Sequence, residues 1–240
     1  MLHISHFSKT YPGGKTAVQD LSMQVQPGQI VGFIGHNGAG KSTTLRTVAG
    51  ILPFETGTIL IDGHNIRTHP VQAKQVMAFL PDNPDLYEFM SGIKFLNLVA
   101  DLYGISAAER TSRIQKYANA YELTDALGSA IASYSHGMKQ KLALISALIR
   151  RPRLLILDEP FVGLDPKASH LLKQQLRELC NEGGAVLFST HVLEVAEKLC
   201  DRIAIIRQGR LVASGSTEDI VGVSSLEDVF LELEGGGSGI

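Results

Sequence analysis

Short apolar runs punctuated by glycine or acidic residues recur along much of the chain. Residues 29–34 (QIVGFI) and 154–157 (LLIL) are β-branched or leucine-rich and end in a glycine or an acidic pair. Runs of this kind predict strands buried on both faces of a parallel sheet. Residues 186–189 and 203–206 repeat the pattern, each followed by a helix or turn signal. Residues 3–7 and 21–25 instead alternate apolar and polar positions, which predicts an antiparallel pair with one wet face. Asp62-Gly63 and Gln208-Gly209 are turn dipeptides between such strands. Between Tyr87 and Arg150 the period becomes helical. Ile93, Leu96, Val99, Leu102 and Tyr103 form one stripe, and Leu142, Ile145 and Ile149 another. This predicts a helical subdomain at about residues 86–150, inserted into a sheet core. Residues 235–240 are a Gly/Ser tail expected to be flexible.

The chain has 240 residues, enough for one large domain, taken here as 1–234, with a well-buried core. Hydrophobic residues are 44% and charged residues 19%, with a mean hydropathy of +0.09, which excludes disordered and coiled-coil classes. The balance of 22 Lys+Arg against 24 Asp+Glu leaves no bulk basic surface, so no nucleic-acid partner is expected. Cys180 and Cys200 show no CxxC spacing and are expected to be reduced structural thiols. The first residues lack the apolar core of a secretory signal, and the longest apolar run, residues 142–149, is interrupted by Ser146. No bilayer-spanning segment is expected. His3, His6, His36, His64, His69, His136 and His170 have no partners at ligand spacing, so no metal site is expected there.

The chemistry concentrates in two places. Gly35, His36, Asn37, Gly38, Ala39, Gly40, Lys41 and Ser42 fit G-x-x-x-x-G-K-[ST], after a strand and opening a predicted helix over residues 41–49. Glycines let backbone N–H groups ring a phosphate, and the helix N-terminus adds a positive dipole end. In this pattern Lys41 reaches the β- and γ-phosphates, the Ser42 hydroxyl ligates Mg²⁺, and Thr43 follows as a further nucleotide contact. A glycine-rich turn capping an ordinary helix is the plain alternative. Strand, lysine and hydroxyl together favour a nucleotide site. Asp158 ends the buried run 154–157, which places its carboxylate beside the loop to hold Mg²⁺ through coordinated water. Glu159 follows, where a carboxylate can orient and deprotonate water. Two acids after a strand also suit a plain helix start, but their pairing with the glycine loop favours catalysis.

Tyr134-Ser135-His136-Gly137-Met138-Lys139-Gln140 starts its serine 23 residues before Asp158 and resembles the signature motif of ABC ATPases, usually LSGGQ. The resemblance covers nearly the whole chain. It implies a P-loop NTPase core with a parallel sheet, an antiparallel β-subdomain and an inserted helical subdomain. Within it Tyr11 resembles the aromatic that stacks on adenine, Gly163-Leu164-Asp165 the D-loop, Asp82 the Q-loop position, and His191, 33 residues after Asp158, the switch histidine. The resemblance makes Glu159, His191 and Lys41 catalytic. It makes Ser42, Asp158 and Asp82 the metal-side residues, and ATP with Mg²⁺ the cofactors. SHGMKQ and GLDP look most like single-domain export subunits for drugs, lipids or peptides. Two copies, as a homodimer or heterodimer, would each sandwich ATP between one P-loop and the partner copy's Ser135 and Gly137. An integral membrane permease would carry the cargo, with this subunit peripheral on the cytoplasmic face.

Singly, Ser135 could be an N-cap, His191 a satisfied strand-end histidine and Tyr11 a half-buried loop aromatic. The order and spacing of six elements favour the family reading. The sequence departs from the pattern at His136, in place of a glycine, at Met138, in place of glutamine, and at Asp82, where glutamine is usual. Leu86, Tyr87, Phe89 and Met90 crowd apolar groups into a loop near Asp82, and Phe95 and Leu98 lie off the Ile93 stripe. Residues 85–103 are therefore expected to face the membrane partner, with internal packing as the other reading. The rival functions are a soluble ABC-type scaffold, as in iron–sulfur assembly, an ABC ATPase serving ribosomes, and a small-molecule kinase or GTPase. The last has no use for residues 135–140.

Overall fold

The computed structural model of the protein describes residues 1–222 and 224–235. The chain opens with β1 (Leu2–Thr10), β2 (Thr16–Val25) and β3 (Ile30–Ile34), then α1 (Lys41–Val48), β4 (Thr56–Ile61) and β5 (His64–Asn65). Helix α2 (Pro70–Val76) leads into β6 (Met77–Leu80). Three α-helices follow before the next strand, α3 (Gly92–Leu102), α4 (Ala107–Ala120) and α5 (His136–Leu148), with two short 3-10 turns between the last two. The last part alternates β7 (Leu154–Asp158), α6 (Pro166–Asn181), β8 (Ala185–Thr190), α7 (Leu193–Leu199), β9 (Arg202–Arg207) and β10 (Arg210–Ser216). Helices α8 (Thr217–Val221) and α9 (Leu226–Gly235) end it.

Two sheets of different character result. The order β2-β1-β4-β5 makes an antiparallel sheet, and β10-β9-β3-β8-β7-β6 a second in which all neighbours but β10 run parallel. The alternation predicted for residues 3–7 and 21–25 appears as the antiparallel β1–β2 pair. The four apolar runs read as parallel strands are β3, β7, β8 and β9. In β7, Leu154 and Ile156 pack with the antiparallel sheet and α1, while Leu155 and Leu157 pack with the helices on the other face. Successive side chains of a strand point to opposite faces, so a strand covered on both sides must be apolar throughout. The Gln208-Gly209 turn links β9 to β10 with φ values of 47° and 79°, the left-handed pair that a two-residue hairpin requires.

Helices α3 to α5 bury Phe95, Leu96, Ala100, Ile114, Ala118, Leu142 and Ile145 in a core continuous with the inner face of the parallel sheet. The rotation of α3 corrects the sequence expectation. Its buried line is Gly92, Phe95, Leu96 and Ala100, while Leu102 is 72% exposed. Small residues decide this, because they permit close approach. A Cβ on Gly92 would stand 2.4 Å from the Tyr134 hydroxyl, so that helix face is the one pressed inward. Phe95, expected on an outward apolar face, is part of the core. Gly235 closes α9, so the tail's first residue is helical, and 236–240 lie outside the described residues. Among the described residues no helix is long and apolar enough to cross a membrane.

Candidate active site

Residues 35–40 join β3 to α1, and close backbone approach pins the loop at both ends. A Cβ on Gly35 would lie 2.4 Å from the Ile206 carbonyl oxygen, and one on Gly40 2.6 Å from that of Ala17. Gly40 also has φ +112°, which side-chain-bearing residues rarely adopt. Between these ends His36, Asn37 and Gly38 are exposed. Lys41 is buried, and its Nζ donates to the carbonyls of Gly35 at 2.5 Å and His36 at 3.2 Å. Burial lowers its pKa, and the nearby Glu159 and Asp158 oppose that shift. The ammonium is therefore satisfied by its own loop. Ser42 is exposed in the first turn of α1, and Thr43 Oγ1 lies 3.1 Å from the Tyr11 hydroxyl.

Strand β7 ends in Asp158, which is only 1% exposed. Its Oδ1 accepts a 2.5 Å hydrogen bond from Ser189 Oγ, while Oδ2 is buried with no hydrogen-bond partner among the described residues. A buried carboxylate oxygen left unpaired is costly, and a hard cation with oxygen ligands is the group that relieves it. Ser189 reaches Asp158 because β7 and β8 are registered with these two residues as partners. The Glu159 backbone N–H donates to both the Ser189 carbonyl at 3.2 Å and its Oγ at 3.1 Å. Glu159 has φ 49°, a left-handed conformation uncommon outside glycine and frequent at functional sites. Its carboxylate sits between Lys41 Nζ at 3.9 Å and His191 Nδ1 at 3.0 Å.

Tyr11, His36, Asn37, Gly38, Gly40, Lys41, Ser42, Thr43, Asp82 and Glu159 line one cleft of about 470 Å³. Gly35, Ala39 and Asp158 are buried, and His191 joins the cleft through Glu159. Asp82 follows β6 and opens to the cleft, yet its carboxyl is held above the usual range. Partial burial against the cleft wall is the main cause, then the charges of Asp158 and Glu159, with His136 and His191 pulling the other way. Sequence reasoning missed Lys15, Thr16 and Ala17, and gave Gln208 and Gly209 only a turn role, although all five form one wall. It also missed the bridge made by Ser189.

Ser135 and Gly137 are not among the residues lining this cleft. Ser135 is exposed and caps α5, accepting from the Met138 N–H at 3.3 Å. The neighbouring segment 163–165 packs on it: a Cβ on Gly163 would lie 2.9 Å from His136 Cδ2, and one on Gly137 3.1 Å from the Gly163 carbonyl oxygen. Asp165 caps α6 and pairs with Lys141 of α5 at 2.7 Å.

This geometry matches a known family. Residues 18–162 match the family model described as ABC transporter. The chain is 35% identical over 233 residues to the ABC-type transporter ATP-binding protein EcsA of Bacillus subtilis (strain 168), covering 94% of each sequence. It is similar to a solved ATP-binding subunit of an ABC transporter, with a TM-score of 0.93 and 36% identity over 98% of this chain and 99% of that one. The dimeric ATP-binding cassette MJ0796, solved in a post-hydrolysis state with ADP and Pi, shares the fold, with a TM-score of 0.83 and 22% identity over 90% and 99% of the two chains. The chain belongs to the ABC transporter family. It is an ATP-binding and ATP-hydrolysing subunit that powers transport through a separate membrane subunit, and the scaffold reading is not favoured.

Ser189→Ala removes one bond to Asp158 and one to the Glu159 backbone at once. ATP turnover should fall roughly 10- to 100-fold, the usual effect of losing a residue that orients a metal-side group, with the melting temperature little changed. Turnover within about twofold of wild type would show that Ser189 orients neither acid.

Proposed function

We propose that this subunit works as a Mg²⁺-dependent ATPase in which each chain contributes half of two composite sites. The observation that carries the metal is the Oδ2 of Asp158, buried with no hydrogen-bond partner among the described residues, in a carboxylate close enough to Lys41 for its charge to act on that ammonium. Ser42 and Asp158 would hold the ion, which when bound offsets phosphate charge. Asp82 puts a carboxyl where the family has a neutral amide, and would meet the same ion through coordinated water. Lys41 would exchange its own loop carbonyls for the β- and γ-phosphates, and Tyr11 would stack on adenine. Glu159 takes the general-base role. Its backbone is held by Ser189 and its carboxylate lies 3.0 Å from His191 Nδ1, which could hold or pass on the proton.

The placement of Ser135 and Gly137 outside the cleft supports a second copy, or a related subunit, as their point of action. The dimeric form of MJ0796 supports the same reading. Closure around two nucleotides would be a population shift driven by contacts made only in the closed state. Residues 85–103 are the proposed dock for the membrane subunit at the cytoplasmic face. Tyr87 is 54% and Phe89 85% exposed, with ring centroids 6.0 Å apart, so an apolar pair stands in solvent beside the Asp82 loop.

Glu159→Gln preserves shape and hydrogen bonding but removes the base. It should bind ATP normally and lose about 10²–10⁴-fold in turnover. With ATP it should elute as a stable dimer on size-exclusion chromatography. Wild-type turnover by this variant would take Glu159 out of the base role. Single cysteines at Tyr87 and Phe89 should crosslink to the membrane subunit in isolated membranes, while a cysteine at exposed Val71 should not. Equal crosslinking from all three positions would move the dock elsewhere.

A further inference from the structure

The tip of the phosphate loop touches a part of the molecule that no nucleotide contact requires. The Phe230 ring of α9 stands edge-on to the His36 ring, with centroids 4.9 Å apart and planes at 60°. Helix α9 is itself anchored. Leu226 is fully buried, and its N–H donates to Glu197 Oε2 of α7 at 2.9 Å. Helix α7 starts two residues after His191, so α9 rests on the helix that follows the switch histidine and reaches across to the loop.

Close backbone approach pins the loop at Gly35 and Gly40, and open space lies behind its tip. A cavity of about 410 Å³ lies there, walled by His36, Ala39, Ile206, Val212 and Phe230. A Cβ on Gly38 would meet nothing within 4 Å. The position of His36 bears on phosphate binding through Lys41. The His36 carbonyl accepts hydrogen bonds from Lys41 Nζ at 3.2 Å and from the Ala39 N–H at 3.1 Å. Lys41 must leave that carbonyl to reach a phosphate.

We propose that Phe230 is a positioning residue for the phosphate loop, and that through its contact with His36 the C-terminal helix sets the affinity of the loop for ATP. An aromatic contact of this kind holds the tip in one place, so that less ordering remains to be done when the phosphates arrive. Phe230 meets the His36 ring rather than Asp158, Glu159 or His191, and Lys41 has left the His36 carbonyl once the phosphates are bound, so affinity should change and turnover at saturation should not. The inference rests on the reading of residues 35–42 as the phosphate cradle.

The test measures ATP hydrolysis and, by calorimetry, ATP binding in single and double variants of the full chain. Phe230→Ala should raise both KM and Kd for ATP roughly three- to tenfold, with kcat kept within about twofold. Phe230→Tyr keeps the ring and should behave as wild type. In a His36→Ala background, Phe230→Ala should add less than about twofold. An unchanged KM in Phe230→Ala, an equal effect with and without His36, or failure of Phe230→Tyr to restore affinity would overturn the proposal. If Phe230→Ala lowers the melting temperature, the tyrosine variant and the His36 background still decide between a specific contact and general loosening. Wild-type protein that binds no ATP would instead defeat the reading of the cradle.

Discussion

The hydrogen bond from Ser189 to Asp158 ties two adjacent parallel strands together where the negative charge of the site is concentrated. One oxygen of that carboxylate is satisfied by the bond and the other is left buried and unpaired. Glu159 is held by the same serine, through its backbone, in a conformation that non-glycine residues seldom adopt. The protein thus sets two carboxylates against one ammonium, Lys41, with a third carboxylate, Asp82, at the same cleft. Negative charge in excess around a buried floor is stable only if a cation balances it or a proton neutralises it. The pKa of Asp82 is raised mainly by its partial burial, and the charges of Asp158 and Glu159 add to that shift.

The sheet turns this constraint into a site. Strands β3, β6, β7 and β8 run parallel, so their C-terminal ends lie along one edge and deliver the glycine loop, Asp82, Asp158–Glu159 and His191 together. Ligands bind at that edge in open α/β sheets because loops and helix N-termini converge there. The antiparallel sheet supplies Tyr11 and the Lys15–Ala17 wall, and closes on the loop where Ala17 meets Gly40 and Gly209. The motif that the cleft lacks, Ser135-His136-Gly137, opens α5 with Ser135 and His136 exposed, and it packs against Gly163 while Asp165 pairs with Lys141 further along the helix.

Much of this was legible in the sequence because the signals are local. A glycine loop between an apolar run and a helix, or an acidic pair after four buried residues, is read within ten positions. What escaped depends on partners distant in the chain. The role of Ser189 requires the β7–β8 register, and the Gln208-Gly209 wall requires the β9–β10 hairpin to fold back over Ala17. The rotation of α3 was misread because apolar spacing alone gave two faces of similar character. The close approach of Tyr134 to Gly92 chose between them. The contact of Phe230 with His36 joins the first strand–loop–helix unit to the last helix, and no local pattern announces it.

Under the proposed function, the buried oxygen of Asp158 meets the cation that accompanies ATP. Melting temperatures of wild type and Asp158→Asn, each with metal-free ATP and with Mg²⁺·ATP, decide whether it does. At nucleotide about 100-fold above Kd, wild type should melt about 5–10 °C higher with Mg²⁺·ATP than without ligand, and clearly less so with metal-free ATP. In Asp158→Asn the advantage of the metal complex over metal-free ATP should vanish. If that advantage survives intact in Asp158→Asn, the buried oxygen is not the group that holds the ion.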